Sequence, residues 1–137
     1  MGIVIGIDVG ISTTKIVGIV EQGKVLSPIR IKATDPVTSL YGAFGKFLYV
    51  NKIQLQDIEK VMLTGVGSAY INEPIYNLPT EKAEEFIADG LGARYETKLD
   101  RMIVVSMGTG TSIVKCDGED IKHIGGIGIE SQVKREW

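Results

Sequence analysis

The first twenty residues, MGIVIGIDVGISTTKIVGIV, set two apolar, β-branched runs on either side of a polar turn that extends from Asp8 to Thr14. Runs this short, Ile3 to Ile7 and Ile16 to Val20, fold as a hairpin rather than a helix. A hairpin needs only a tight turn, and an aspartate followed by glycine, serine and two threonines is more than that. The turn is therefore the first place to look for chemistry.

The pattern returns near the other end of the chain. IVVSMGTGTSIVKCDGEDIKHIGGIGI runs as an apolar strand, a polar glycine turn, a second apolar strand, an Asp117-Gly118 turn and a further strand from Asp120 to Ile124. Two such units suggest two related half-domains. Between them, Lys24 to Ala33 reads as a third strand after a Gln22-Gly23 turn. Asp35-Pro36 reads as the capped start of a helix whose apolar positions recur from Val37 to Leu48. Ile58 to Thr64 is a strand ending at Gly65-Val66-Gly67-Ser68, the kind of strand end where ligands collect in α/β sheets. Thr80 is expected to cap the helix EKAEEFIADGLGARY, and Met102 to Val105 to return as the last strand of the first sheet. The order predicts an α/β fold with a mixed sheet over residues 1–105, the start of a second half-domain over 106–129 and a charged tail, ESQVKREW, over 130–137. Too few residues remain to cover the second hairpin with helices.

With 44% hydrophobic and 23% charged residues among 137, the chain can bury about one core. Net charge is -2 and the lysines and arginines are scattered, so no nucleic-acid or membrane partner is expected. Cys116 and His123 are the only residues of their kinds, which excludes an internal disulfide and zinc-type ligand spacing. Without a signal segment or a membrane span at the N-terminus, a cytoplasmic location is expected.

Phosphate oxygens need several donors at close range, and a glycine turn supplies backbone N–H groups without blocking approach. Gly10 with Ser12 and Thr13 can do this, and so can Gly108, Thr109, Gly110, Thr111 and Ser112. Asp8 stands where a carboxylate can hold a hydrated magnesium ion, and Lys15 adds a point charge. Taken singly, these are ordinary turn residues. As a pair of facing loops, each after an apolar strand, they make a clamp for a nucleoside triphosphate. Glu85, on the border of the apolar face of its helix, can serve as general base for a hydroxyl attacking a phosphoryl group. Cys116 reads as a small apolar strand residue, and His123 as a strand-end residue beside the second glycine run.

GIDVGISTTKIVGI and VVSMGTGTSIV resemble the two phosphate motifs of the actin and sugar-kinase superfamily, whose two ribonuclease-H-like domains each carry a phosphate hairpin. VMLTGVGS, EEFIADGLG, GTGTSIVKCDG and HIGGIGI, in this order, resemble type II pantothenate kinases from Ile3 to Ile129. The resemblance implies an actin-like ATPase fold and transfer of the γ-phosphoryl of ATP to pantothenate, the first step of coenzyme A synthesis. It implies that Asp8 organises Mg2+ and phosphates, that Gly10, Ser12, Thr13 and Lys15 form the first phosphate loop, and that Gly108, Thr109, Gly110, Thr111 and Ser112 form the second. Glu85 matches the catalytic base. Gly125 and Gly126 open the glycine run toward the substrate, and His123 stands where some members carry a substrate-binding arginine. The family's chains continue for roughly another domain of typical size, which includes dimer contacts. The resemblance thus reads this chain as an N-terminal portion with little activity alone.

Two other readings remain open on the residues. One is a related ATPase that activates a redox partner, though such activators hold an iron–sulfur cluster with cysteines and Cys116 is alone. The other is a non-catalytic module that assembles through exposed apolar surface.

Overall fold

The computed structural model describes residues 2–108 and 110–127. Their contacts divide the chain into two compact units, Met1–Ala83 and Glu84–Trp137.

The first unit is built on a five-stranded sheet. Strand β1 (Ile3–Val9) alternates strictly, with Ile3, Ile5, Ile7 and Val9 buried on one face and Val4, Gly6 and Asp8 on the other. It pairs antiparallel with β2 (Thr13–Ile19), which pairs antiparallel with β3 (Ile29–Lys32). The third strand is shorter than the expected Lys24 to Ala33. Pro28 cannot donate to a ladder, and of the preceding residues only Val25 makes a bridge, to Ile19.

Helix α1 (Pro36–Asn51) starts where Asp35-Pro36 predicts. The Asp35 carboxylate accepts from the N–H groups of Val37 and Thr38, both at 3.2 Å. Hydrogen bonding, first from the Thr38 side chain and then from these amides, holds that carboxyl below its usual range. Leu40, Ala43, Phe44 and Phe47 are fully buried in the core formed with the strands. Phe47 lies against Gly18, where a Cβ would stand 2.8 Å from its ring. Strand β4 (Ile58–Thr64) then enters beside β1 and parallel to it, and β5 (Thr80–Lys82) adds in parallel at the edge, giving the order β3-β2-β1-β4-β5.

Thr80 is thus a strand residue and not the expected helix cap. Its hydroxyl accepts from the Ile75 N–H at 3.0 Å and donates to the Leu78 carbonyl at 2.9 Å. The hydroxyl is used up in the preceding turn, so the backbone of residues 80–82 continues into the ladder. The helix begins later.

In the second unit, α2 (Glu85–Thr97) packs on a three-stranded antiparallel sheet, β6 (Arg101–Met107), β7 (Thr111–Asp117) and β8 (Asp120–Ile127). Residues 102–105, expected to close the first sheet, lie in β6. Every residue of β6 pairs with β7, while the place beside β4 is already taken by β5. Gly90 lets α2 approach closely, because a Cβ there would stand 2.8 Å from Ile121 Cγ2 and 3.1 Å from Cys116 Sγ. Cys116 is buried beneath it, as a small apolar residue would be. Gly118 fixes the far turn at φ 64°: its N–H donates to the Asp100 carbonyl and its own carbonyl accepts from Arg94 Nη2. Among the described residues, no helix is long and apolar enough to cross a membrane. The tail ESQVKREW lies outside the described residues.

Candidate functional site

In the first unit, the end of the β1–β2 hairpin gathers five of the predicted residues. Gly10 donates its N–H to the Thr13 carbonyl at 3.0 Å, and a Cβ at Gly10 would stand 2.6 Å from that oxygen. Only glycine closes the loop this tightly. Ile11 and Ser12 at the tip are exposed, and Ser12 lends its carbonyl to the Ala33 N–H at 3.0 Å.

Asp8 is the penultimate residue of β1, below this tip on the face opposite α1. Register sets Lys15 directly across on β2, and their charged atoms are 3.9 Å apart. Burial pushes the Asp8 carboxyl above its usual value, and Lys15 partly offsets this. A carboxylate partly withdrawn from water beside a single, distant cation is poised to gain from a further positive charge.

Two residues on the other flank of Asp8 were not picked out from the sequence as site residues. Thr64 is its register partner on β4. Gly65 follows at φ 91°, so close that a Cβ would collide with Asp8 Oδ1 and stand 2.5 Å from the Val9 carbonyl oxygen. The signal was the TGVG at the end of an α/β strand. What pointed it at Asp8 was the pairing of β1 with β4, and this is not local in sequence.

In the second unit, Gly108 donates its N–H to the Gly110 carbonyl at 2.8 Å, a shorter span than the Gly10–Thr13 closure, and a Cβ at Gly108 would come no nearer than 4.0 Å to that oxygen. Thr109 lies outside the described residues. Thr111 and Ser112 open β7, and Ser112 pairs with Ser106 on one side and Gly126 on the other. Gly125 pairs with Ile113, and a register shift at Ile113/Val114 brings His123 opposite Val114. His123 therefore sits within a strand, its ring centroid 6.1 Å from that of Phe86, rather than at a strand end.

Helix α2 runs along this sheet from Arg94, bonded to the far turn at Gly118, through Gly90, set against Cys116 and Ile121, to Phe86 beside His123. Its first residue, Glu85, thus lies toward the sheet end that carries the glycine loop and Gly125-Gly126. An acidic residue in the first turn is also favoured by the helix dipole. The first unit brings Asp8, Gly10, Ser12, Thr13 and Lys15 to one hairpin end, and in the second Ser112 and Gly126 are register partners.

The donor set suits a magnesium nucleotide. Magnesium is typically held through one or two carboxylates, its own waters and phosphate oxygens rather than a protein cage. Among the described residues no group of three or more His, Cys, Asp or Glu is assembled for a metal, so Asp8 would act in that sparse way. Glycine at position 10 closes the loop on itself: the Thr13 carbonyl engages its N–H and fills the space of a Cβ, so that N–H is not presented to an anion as the sequence led one to expect.

Comparison with known proteins agrees with this architecture. The activator of 2-hydroxyisocaproyl-CoA dehydratase from Clostridium difficile, solved with bound ADPNP, is similar with a TM-score of 0.74 and 16% identity over 89% of this chain and 45% of that one. Component A of the (R)-2-hydroxyglutaryl-CoA dehydratase from Acidaminococcus fermentans gives 0.76 and 12% over 90% of this chain and 48% of that one. The fold is that of the actin-like ATPases.

No family model matches the chain. Over 129 residues it is 33% identical to the type II pantothenate kinase of Staphylococcus aureus (strain USA300), covering 90% of this chain and 43% of that protein. The chain is a distant homologue of the type II pantothenate kinases and spans less than half the length of the curated relatives it matches.

Proposed function

We propose that the chain serves ATP-dependent phosphorylation of pantothenate, and the sequence relation to type II pantothenate kinases is the observation that carries this reading. The two glycine-closed hairpins support it. Ser12 and Thr13 in the first unit, and Thr109, Gly110, Thr111 and Ser112 in the second, would donate to phosphate oxygens, while Gly10 and Gly108, whose N–H groups are engaged within their own loops, would shape those loops. Lys15 would add positive charge, and Asp8 would hold the magnesium ion. That ion, when bound, neutralises charge on the phosphates.

Glu85 would accept the proton of the pantothenate hydroxyl as its oxygen forms a bond to the γ-phosphorus and the bond to the ADP oxygen breaks. His123, Gly125 and Gly126, which share that sheet, would contact pantothenate. Under this reading residues 106–129 begin a second ribonuclease-H-like domain, after a first over 1–105.

Calorimetric titration with AMPPNP and Mg2+, then with pantothenate, tests the reading. Saturable nucleotide binding that Asp8→Asn abolishes and Glu85→Gln leaves intact is expected. Absence of nucleotide binding at millimolar concentration overturns it. Binding of nucleotide with no pantothenate heat, together with ADP release unaffected by pantothenate, leaves an ATPase and removes the acceptor.

A further inference from the structure

Two hydroxyls in the first unit, Thr14 Oγ1 and Thr64 Oγ1, are buried without a hydrogen-bond partner. A buried hydroxyl left unpaired opposes folding, so such a group calls for an explanation. The two differ in where they face. Thr14 pairs with Val9 and Ile31 on the face covered by α1, within the apolar core. Thr64 pairs with Asp8 on the opposite face, directly before the glycine that presses against the Asp8 carboxylate.

We propose that Thr64 is a further binding residue of the Asp8 site, its hydroxyl kept unpaired within the protein so that it hydrogen-bonds an oxygen of the magnesium nucleotide. The inference rests on the nucleotide reading above. That oxygen belongs either to a phosphate or to water on the cation, and one hydroxyl can serve both chemistries. The arrangement makes a row across three adjacent strands: Lys15 on β2, Asp8 on β1 and Thr64 on β4. A cation, an anion and a neutral hydroxyl in register offer a ligand one partner of each kind.

The test uses Thr64→Val, which keeps the shape and deletes the hydroxyl, with Thr64→Ser as the conservative variant and Thr14→Val as the control on the other face. Thermal unfolding without ligand should show Thr64→Val and Thr14→Val each at least as stable as the unchanged chain, because each loses an unpaired buried polar group. Calorimetry with AMPPNP and Mg2+ should show Thr64→Val roughly 5- to 20-fold weaker in affinity. Thr64→Ser and Thr14→Val should stay within about 2-fold of the unchanged chain, less than 1 kcal/mol by the same conversion. Repeating the titration with EDTA separates the two sources: the loss persists if the partner is a phosphate and vanishes if it is water on the cation. Unaltered affinity in Thr64→Val, equal loss in Thr64→Ser, or destabilisation of unliganded Thr64→Val would overturn the proposal while leaving the nucleotide reading in place. Failure of the unchanged chain to bind the nucleotide would overturn both.

Discussion

Replacing Gly90 and Gly92 by alanine, one at a time, separates helix propensity from helix seating. Both lie in the interior of α2, and at either position alanine relieves a backbone-entropy cost of about 1 kcal/mol. The surroundings differ. At Gly92 nothing lies within 4 Å of an added Cβ, so the full gain should appear as stabilisation. At Gly90 the methyl would stand 2.8 Å from Ile121 Cγ2 and 3.1 Å from both Cys116 Sγ and Ile121 Cδ1. The first of these is a branch-point methyl close to the strand backbone, so relief requires the helix to lift off β7 and β8. Overpacking of this kind costs about 1–3 kcal/mol, which cancels or exceeds the propensity gain. The two variants should therefore differ by about 1–3 kcal/mol although their chemical change is identical. Urea unfolding followed by far-UV circular dichroism measures the difference, and amide exchange of β7 confirms that it arises in the second unit. Equal stabilisation by both substitutions would refute the seating described for α2. Trimming Ile121 to alanine should restore part of the gain at Gly90 and none at Gly92.

Phe47→Ala should destabilise the first unit by about 3–5 kcal/mol, read from its denaturation midpoint, because the ring is fully buried over Gly18. Asp8 ionises less readily when folded, so its contribution is present below the unfolded-state value near 3.8 and lost as pH rises through the higher folded value. Asp8→Asn should thus be more stable than the unchanged chain at neutral pH, with the gap closing in acid, while nucleotide binding measured by calorimetry is lost. Asp35 has the opposite sign: its stabilisation is present above 3.8 and fades as pH falls through a lower folded value. Asp35→Ala should lose helicity at neutral pH and approach the unchanged chain in strong acid.

What the sequence revealed was local. The β1–β2 hairpin, the Asp35-Pro36 helix start and the strand from Ile58 to Thr64 are each determined by neighbours a few residues away and were legible. The strands run to Val9 and from Thr13, however, so the turn is confined to residues 10–12 rather than extending from Asp8 to Thr14. Thr80 was not. Its side chain looks like a cap until Ile75 and Leu78 claim it, and that competition is decided by how the turn folds. The placement of β6 likewise depends on which sheet edge is open, a fact set by β5 and absent from the residues of β6 themselves. Both glycine loops could be read from composition and spacing. Thr64 could not, because its relevance to Asp8 exists only once two strands distant in sequence lie side by side.

The central position of β1 carries a consequence for how the site comes into being. Its antiparallel neighbour follows immediately in the chain, so the hairpin can zip early, whereas its parallel neighbour must close a long loop first. Asp8 should meet Lys15 before it meets Thr64, and a bound nucleotide would act as a latch on the later pairing. Refolding with and without AMPPNP should show the ligand slowing re-opening of β4 more than it speeds formation of the hairpin.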